Sequence, residues 1–569
     1  MKKCTGLAGA GGKATGKIIL ISSAEAKAVK REIADPEGQI SLFHDVQEKY
    51  AVELNGLYEK TKASLGEESA GIFSAYLAML NDEVFFGDCA ERCRAEKLNL
   101  DYIISEEEKK TCAMFEEMDD PYMKERASDI VNVCDEVIRR MNGYSGGSVE
   151  SADEDFIVAA EELTPADTIK LDKKHLKGMV TERGGVTSHT VILAKTLGIP
   201  AVVGATGILD TVRGEECLYL DGSAGTAFAG TKQEINEKFG AGIQKEKEQQ
   251  ALYEQYAGKD AETKDGKKVS VCINSGDADS IKKFRPECCD GIGLFRTEFV
   301  YMGETDYPTE EKQFSVYKDI TVKAAGKEVT IRTLDIGGDK KLDYMGLEPE
   351  DNPFLGYRAI RICLHREEMF LTQLRAILRA SAFGHIRIMF PMIVTLTEFR
   401  EARAQVEKAK KQLDERGEKY DSNIETGVMI ETPGAVLISD RLAEECDFFS
   451  IGTNDLIQYV TASDRMNQNV QYLYDVCNIS VLRAIGTVIK NAHKYGRKTG
   501  MCGEAASDER MTPVWLGLGL DEFSMAPSRV GQIKYRLSGL DSASCRETAE
   551  KVLNADSEKE VRKILEENK

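Results

Sequence analysis

The chain has 569 residues, which is enough for three or four domains of ordinary size. Its 96 acidic residues exceed its 75 lysines and arginines, and the net charge of -21 argues against general binding to nucleic acid or to an anionic membrane. No apolar run has the ~20 residues of a membrane-spanning helix. The 14 cysteines include no CxxC pair, and we interpret them as free thiols of a cytoplasmic protein.

The first 142 residues predict a strand followed by a block of helices. Residues 1–23 end in the strand-like run 17–22. Residues 24–142 contain little proline or glycine, and the spacing of Phe73, Leu77, Leu80 and Val84 is helical. The acidic tract at 106–108 is typical of a solvated helix face, and a surface for a basic partner is the alternative interpretation.

Short strands and helices alternate after a glycine-rich exit from this block at residues 143–147. The strand-like runs are 156–160, 178–180, 201–203 and 217–220. The run at 17–22 can complete the same sheet, which would make the helical block an insertion. Residues 231–258 are rich in lysine, glutamate and glutamine and predict a long exposed helix that connects to the next domain.

Residues 184–190, GGVTSHT, are the candidate functional stretch of this α/β region. Thr187 or Ser188 can cap the helix predicted after them, and the Gly-Ile-Pro sequence at 198–200 can end it. His189 would then lie in the first helical turn, where unpaired backbone N–H groups favour a bound anion. A histidine beside a phosphate site is a candidate phosphoryl carrier. The alternative is an ordinary helix start with a surface histidine.

The carboxyl-terminal half predicts a (β/α)8 barrel. Eight strand-like runs alternate with helical patterns, at 269–274, 291–298, 329–335, 386–392, 427–431, 448–455, 498–504 and 522–525. Barrel chemistry occurs at the carboxyl ends of the strands, so side chains at those ends are the candidates for a site. The ends carry Arg296, Arg332, Glu431, Asn454, Asp455 and Cys502.

Several arginines are candidates for binding an anion at this end of the barrel. Guanidinium groups match phosphate and carboxylate oxygens in pairs, so a converging set suits a small polyanion. For each arginine the alternative is a structural ion pair with a neighbour such as Glu298 or Asp335. The candidates are Arg296, Arg332, Arg358 and Arg465.

The remaining candidates are two carboxylates and a thiol. Glu431 and Asp455, with no histidine or thiol ligand beside them, suggest a hard cation, and Mg²⁺ suits such oxygen donors best. Cys502 has glycines on both sides; buried cysteines are usually inert, but its strand-end position favours an acid/base role. We interpret the five histidines other than His189 as structural or surface residues.

These motifs resemble known ones. GGVTSHT is similar to the phosphohistidine signature shared by the Enzyme I family of bacterial sugar phosphotransferase systems, pyruvate phosphate dikinases and phosphoenolpyruvate synthases. The barrel segments resemble the phosphoenolpyruvate-binding domain of that superfamily, and order and spacing through nearly the whole chain are those of Enzyme I. The matching segments are GIGLFRTEF, IRTLDIGGDK, NPFLGYRAIRI, IMFPMI, MIETPGAV, DFFSIGTNDLIQY and GMCGE.

The resemblance implies a multidomain α/β fold and a phosphoryl relay. The domains would be a swivelling phosphohistidine domain (1–23 and 143–230), an inserted all-helical domain that docks the phosphocarrier protein HPr (24–142), a helical linker (231–258), and a phosphoenolpyruvate-binding barrel that forms a homodimer (259–569). His189 would take the phosphoryl group from phosphoenolpyruvate and pass it to HPr, and pyruvate would be released.

The same resemblance implies a role for each candidate residue of the barrel. The four arginines would bind substrate phosphate and carboxylate with help from Asn454 and Asp455. Glu431 and Asp455 would hold Mg²⁺, and Cys502 would protonate the enolpyruvate carbon. The chain departs from the family pattern at Val186, where arginine is typical, and at Met466, where glycine is typical. Both changes put rate and domain docking in question.

Two other functions fit the sequence less well. An ATP-linked dikinase or synthase needs a nucleotide-binding domain, and the 188 residues before His189 offer neither the length nor a usable glycine-rich phosphate loop. A phosphorylated regulatory scaffold with a degenerate barrel would not need the complete set of arginines, acids and Cys502.

Overall fold

A computed structural model shows two compact units, residues 1–248 and residues 249–569. It describes the whole chain except residues 22–27, 66, 117–120, 143–153, 164–166, 168–170, 186–188, 277–280, 282–283, 303, 338–341, 466, 468 and 568–569. The predicted exit at 143–147 therefore lies outside the described residues. Within the described ranges, no helix combines the length and the apolar character needed to cross a bilayer.

The first unit contains a block of helices around its own apolar core. Its helices are α1 Pro36–Leu65, α2 Glu67–Leu80, α3 Glu83–Glu96, α4 Leu100–Glu116 and α5 Pro121–Met141. Phe73 and Leu80 of α2 are buried as predicted, but Val84 lies in α3 and is 74% exposed. The reason is a helix boundary: Asp82 accepts hydrogen bonds from the N–H groups of Val84 and Phe85 and so begins a new helix.

The acidic tract 106–108 on α4 is more than a solvated face. Arg92 of α3 contacts Glu107 at 3.1 Å and Glu106 at 3.4 Å. Glu108 is buried, and burial together with the nearby Asp135 raises the pKa of its carboxyl to about 7. Two of these glutamates are therefore paired with an arginine and the third is buried, although the sequence predicted that all three face solvent.

The same unit holds an eight-stranded mixed sheet in the order β1-β8-β7-β3-β4-β5-β6-β2. The pairing of β3 with β4 is parallel, with Lys17 opposite Phe156, so the amino-terminal residues share a sheet with the chain that follows the helices. Helices α6 His189–Leu197 and α7 Ile208–Val212 accompany the sheet. The strands are β1 Lys2–Thr5, β2 Leu7–Ala10, β3 Lys13–Ile21, β4 Phe156–Ala160, β5 Leu176–Thr181, β6 Ala201–Val203, β7 Cys217–Asp221 and β8 Thr226–Gly230.

Helix α8 Lys232–Ala257 follows the sheet and is exposed along most of its length, with Ile235 as its buried residue. The second unit is a closed barrel of eight parallel strands, as predicted. The strands are β9 Ser270–Ser275, β10 Gly291–Arg296, β11 Glu328–Arg332, β12 Ile386–Phe390, β13 Glu425–Ile430, β14 Phe448–Ile451, β15 Lys498–Met501 and β16 Glu522–Met525.

Helices surround the barrel. They are α9 Glu298–Met302, α10 Glu310–Lys323, α11 Ile360–His365, α12 Glu367–Ser381, α13 Leu396–Arg416, α14 Pro433–Leu437, α15 Ser439–Glu445, α16 Thr453–Thr461, α17 Ile479–Lys494, α18 Thr512–Leu518, α19 Val530–Ser538, α20 Ser542–Leu553 and α21 Glu558–Glu567. Several predicted strands extend too far, because the ladder ends where the backbone turns into the following loop or helix. Asn454 and Asp455 accordingly lie in the first turn of α16 rather than in β14.

A buried cation holds the amino-terminal end of the barrel together. Arg387 of β12 contacts Glu328 of β11 at 2.7 Å and Glu522 of β16 at 3.1 Å, and its guanidinium lies 4.2 Å from the ring centroid of Phe448. Burial raises the pKa of the Glu328 carboxyl. The arginine therefore supplies the charge that two poorly solvated carboxylates require.

We predict that Arg387→Met lowers the free energy of unfolding of the barrel by about 3–5 kcal/mol, because it leaves two inward-facing carboxylates without a cation. Trp515 is the chain's one tryptophan and is fully buried in this unit, so its fluorescence reports barrel unfolding in urea at pH 7. Arg400→Met is the control: Arg400 pairs with Glu445 at the surface, where an ion pair contributes about 0–1 kcal/mol. Equal losses in the two variants would contradict the prediction.

Candidate active site

The predicted carrier histidine begins a helix of the first unit. His189 is the first residue of α6, which ends at Leu197, and Gly198 follows with φ +69°, the left-handed conformation common after a helix end. Gly184 also has positive φ, at +101°. The predicted caps Thr187 and Ser188, and the departure at Val186, lie outside the described residues. The structure thus places His189 in a first helical turn, as the sequence predicted.

In the second unit, Arg332 ends β11 and lies between two acids. Its Nη1 is 2.8 Å from Asp335 Oδ2, and its Nη2 donates to Glu298 Oε1. Burial acts to lower the pKa of the Arg332 guanidinium, but the two carboxylates outweigh it and raise that pKa. Both neighbours named as structural partners in the sequence are therefore real partners of this arginine. Arg296, at the end of β10, is half-buried beside them.

Arg358 is almost fully buried and joins two loops of the barrel mouth. Its Nη2 lies 2.8 Å from Asp335 Oδ1 and 3.5 Å from Asp455 Oδ2. Its Nη1 donates to the hydroxyl of Tyr459 at 3.2 Å, and that hydroxyl donates to the Phe354 carbonyl. Burial raises the pKa of the Tyr459 phenol to about 12, so the hydroxyl keeps its proton.

Arg465 approaches the same acid from another loop. Its Nη1 is 3.3 Å from Asp455 Oδ1, and its backbone N–H donates to Gln458 Oε1 at 3.1 Å. The Tyr474 hydroxyl donates to the Asn454 carbonyl at 3.1 Å. Asp455 therefore lies between two guanidinium groups. The departure at Met466 lies outside the described residues.

Two guanidinium nitrogens at this mouth are unsatisfied hydrogen-bond donors among the described residues. Arg332 Nε and Arg358 Nε are buried and have no hydrogen-bond acceptor within the part of the chain that the structure describes. Buried N–H groups rarely stay unsatisfied, so each is a donor suited to an anionic ligand.

Glu431 directly follows β13 and is almost fully buried. Its Oε1 accepts a hydrogen bond of 2.7 Å from the backbone N–H of Met392, a residue held at φ +59°. A Cβ on Gly452 would lie 2.9 Å from Glu431 Oε2, so glycine at that position leaves the space that the carboxyl occupies. Burial first, and then the charges of Asp455 and Asp335, raise the pKa of Glu431 to about 8.

The donor chemistry at Glu431 and Asp455 fits a divalent cation. Both offer carboxylate oxygens, which Mg²⁺ prefers, and among the described residues no histidine or cysteine completes a three-ligand group with them. Burial and the neighbouring charges of Asp455 and Asp335 disfavour the ionised form of Glu431, and a bound cation would offset this cost. At the other end of the barrel, Glu328, His385 and Glu425 also place possible ligand atoms within 4.8 Å of one another, but Arg387 already supplies positive charge there.

Cys502 directly follows β15 and is buried. Its N–H donates to the Ile451 carbonyl at 3.1 Å, and burial raises the pKa of its thiol to about 11. The positive charges of Arg332 and Arg296 act in the opposite direction on that pKa. The thiol therefore holds its proton at neutral pH, as an acid must.

Asn454 stabilises the turn after Cys502. Its side-chain oxygen accepts a hydrogen bond of 3.0 Å from the backbone N–H of Glu504. A Cβ on Gly503 would lie only 1.8 Å from Thr453 Oγ1, so the two loops approach each other more closely than any other residue at that position allows. The amide nitrogen of Asn454 remains as the group that can donate to a ligand.

The sequence did not single out the tyrosines and the amide that brace this site. Tyr459 lies four residues after Asp455 on α16, which places both on one helix face and was a usable signal. Tyr474 and Asn274 act across loops and strands that are far apart in sequence, and no local pattern marks them.

Comparisons with known proteins match three regions of the chain. Family models for the phosphoenolpyruvate-utilising enzymes match as the N-terminal domain over residues 5–126, the mobile domain over residues 152–225, and the phosphoenolpyruvate-binding domain over residues 250–542. A phosphoenolpyruvate-protein phosphotransferase of Listeria innocua is 42% identical over 99% of both chains. One of Bacillus subtilis is 40% identical over 99% of this chain and 98% of its own.

We predict that Glu431→Gln stabilises the barrel at pH 8 but not at pH 5 when a chelator is present. The raised pKa means that the folded wild type binds more protons than the unfolded chain between about 4.5 and about 8, so its free energy of unfolding falls as pH rises through that range. The glutamine side chain does not ionise, so the variant keeps its free energy of unfolding as pH rises. Urea unfolding followed by Trp515 fluorescence measures the difference.

Adding Mg²⁺ in place of the chelator should stabilise the wild type at pH 8 and leave Glu431→Gln unchanged, since a ligand stabilises the state that binds it. Glu415→Gln, on the exposed side of α13, is the control and should behave as the wild type in both conditions. A glutamine variant that still gains stability from Mg²⁺ would remove Glu431 from the cation site.

Proposed function

Because the chain belongs to the phosphoenolpyruvate-protein phosphotransferases, the Enzyme I family, we propose which of its residues carry out the reaction of that family. Enzyme I transfers the phosphoryl group of phosphoenolpyruvate to its own histidine and then to HPr, and it releases pyruvate. The observation that carries the assignment is the chain of alternating charges at the barrel mouth, with buried guanidinium N–H groups that have no acceptor among the described residues.

His189 is the proposed phosphoryl carrier. It begins α6, and the first turn of a helix offers N–H groups and a positive dipole end to the phosphoryl oxygens. A neutral imidazole nitrogen is a nucleophile at physiological pH. The transfer forms a nitrogen–phosphorus bond on His189 and breaks the bond between phosphorus and the enol oxygen of the substrate.

The arginines at the barrel mouth are proposed to bind phosphoenolpyruvate. Arg332 and Arg358 are oriented by Asp335 before substrate arrives, so little side-chain entropy is lost on binding. Arg296 and Arg465 lie at the partly exposed rim, where they can close on the substrate phosphate and carboxylate, with the amide of Asn454 as a further donor. Phosphoryl transfer depends mainly on such positioning and charge neutralisation.

Glu431 and Asp455 are the proposed ligands of Mg²⁺. When it is bound there, the ion supplies positive charge to the substrate oxygens. The two carboxylates are held in place by the Met392 N–H and by two arginines, so the donor set keeps its shape in the metal-free protein.

Cys502 is the proposed acid that converts the enolate product to pyruvate. Its thiol is protonated at neutral pH and lies close enough to Arg332 and Arg296 for their charges to affect its pKa. Delivery of that proton forms the third C–H bond of the pyruvate methyl group, and the thiolate left behind regains a proton from solvent.

The remaining assignments concern partners and domains. We propose that the helical block at 24–142 docks HPr, that residues 1–23 and 143–230 form the domain that carries His189, and that 231–258 is the linker. The barrel at 259–569 is the proposed dimerisation domain. Exposed apolar side chains support the proposed HPr-docking surface and the proposed dimer surface. They are Val52, Val84 and Met114 on the helical block, and Leu355, Leu437 and Tyr472 on the barrel.

We predict that His189→Ala abolishes phosphoryl uptake. Incubation with labelled phosphoenolpyruvate and Mg²⁺ should give the wild type an acid-labile, alkali-stable label, which is typical of a phosphoamidate. His175→Ala is the matched control: this histidine of the same unit lies near Asp155 and should be dispensable. Label retained by His189→Ala would show that the acceptor is another residue.

We predict that Cys502→Ala lowers kcat about 10²- to 10⁴-fold, the usual contribution of a general acid, and changes KM for phosphoenolpyruvate much less. Steady-state pyruvate formation with HPr present measures both constants. Cys446→Ala removes another buried thiol of the barrel and should leave kcat within about twofold. Equal activity of Cys502→Ala and the wild type would assign the proton to another donor.

A further inference from the structure

A side-chain amide reaches the backbone of Cys502 from a strand that is not its neighbour. Asn274 of β9 donates from Nδ2 to the Cys502 carbonyl at 2.8 Å. Its Oδ1 accepts a hydrogen bond of 2.7 Å from the hydroxyl of Ser524 in β16. The carbonyl can only accept and the amide nitrogen can only donate, so the two contacts together fix the orientation of the amide.

The Asn274 amide supplies a hydrogen bond to Cys502 at the point where the backbone pairing of β15 with β16 has ended. Strand β15 ends at Met501, and its pairing with β16 stops at Met501 opposite Phe523. On one side of Cys502, the N–H still donates to the Ile451 carbonyl of β14. On the other side, the order β15-β16-β9 puts Asn274 two strands away, and its side chain spans β16 to reach the carbonyl. Both peptide groups of Cys502 are thereby held.

The neighbouring residues make room for this bridge. Ser524 is fully buried, and a Cβ on Gly293 of β10 would lie 2.6 Å from its hydroxyl oxygen. A larger residue at position 293 would displace the serine that orients the amide. The bridge therefore depends on small residues in two strands as well as on the asparagine itself.

We propose that Asn274 is a positioning residue that holds the Cys502 thiol over the carbon it protonates. This inference rests on the proposed role of Cys502 as the acid. The direction of a thiol from a fixed rotamer follows its backbone, and a displacement of about 1 Å costs about 10²-fold in rate. Asn274 does not itself exchange a proton: the thiol donates to the enolate carbon, and solvent restores the thiol.

The test is a comparison of single variants in the full-length protein with Mg²⁺ and HPr. Asn274→Ala should lower kcat about 10- to 10²-fold and change KM for phosphoenolpyruvate less than about threefold. The effect of D₂O on kcat should increase, because proton delivery becomes the slow step. Asn274→Asp places an acceptor against the Cys502 carbonyl and should be at least as slow. Ser524→Ala frees the amide to rotate and should show a smaller loss in the same direction.

Asn491→Ala is the matched control. This asparagine of α17 also donates to a serine hydroxyl, that of Ser439, at 2.8 Å, and it has no contact with Cys502 among the described residues. It should keep the wild-type kcat and the wild-type D₂O effect. Trp515 fluorescence in urea shows that each variant is folded before its kinetics are compared. If Asn274→Ala does not fold, Asn274→Asp and Ser524→Ala carry the test.

A double variant separates positioning from general support of the fold. In a Cys502→Ala background, Asn274→Ala should cause no further loss, because it acts through the thiol that is already absent. A further loss equal to that in the wild-type background would overturn the proposal, as would an Asn274→Ala variant with unchanged kcat. Failure of the wild type to take label from phosphoenolpyruvate onto His189 would instead refute the proposed function.

Discussion

The barrel mouth depends on an unbroken sequence of alternating charges, which are buried except for the partly exposed Arg465. Each charge alone would lose several kcal/mol of hydration, and each is offset by a partner of opposite sign within 2.8–3.5 Å or in direct hydrogen bonding. Three guanidinium groups balance three carboxylates, and the fourth acid, Glu431, shares cations that are already paired. Burial first, and then the charges of Asp455 and Asp335, raise the pKa of Glu431. The order of contacts is Glu298, Arg332, Asp335, Arg358, Asp455 and Arg465.

This arrangement fixes the site before any ligand arrives. The six charged residues belong to several βα loops, and a pair shared by two loops fixes both of them at once. The neutral hydroxyls of Tyr459 and Tyr474 donate to the backbone carbonyls of Phe354 and Asn454, which holds the loops without disturbing the charge balance. A site of this kind binds a small polyanion with little reorganisation, and that is what electrostatic stabilisation of phosphoryl transfer requires.

The sequence predicted the barrel well because each strand is buried on both faces and is read as an apolar run. It singled out His189, Arg332, Glu431 and Cys502 as candidates because strand ends and glycine turns are local features. It could not predict where each ladder stops, and so it assigned Asp455 to a strand although the residue lies in α16. The hydrogen-bond partners of the site residues could not be predicted either. Asn274 and Cys502 are 228 positions apart, and they come together only because the barrel closes.

The same arginines also bear on the protonation of the proposed acid. Arg332 and Arg296 act to lower the pKa of the Cys502 thiol, but burial outweighs them. A thiol begins near about 8.5, and burial raises it to about 11 despite the arginines. The arginines proposed to bind the substrate and the proposed acid can therefore share one small space, because burial keeps the proton on the thiol.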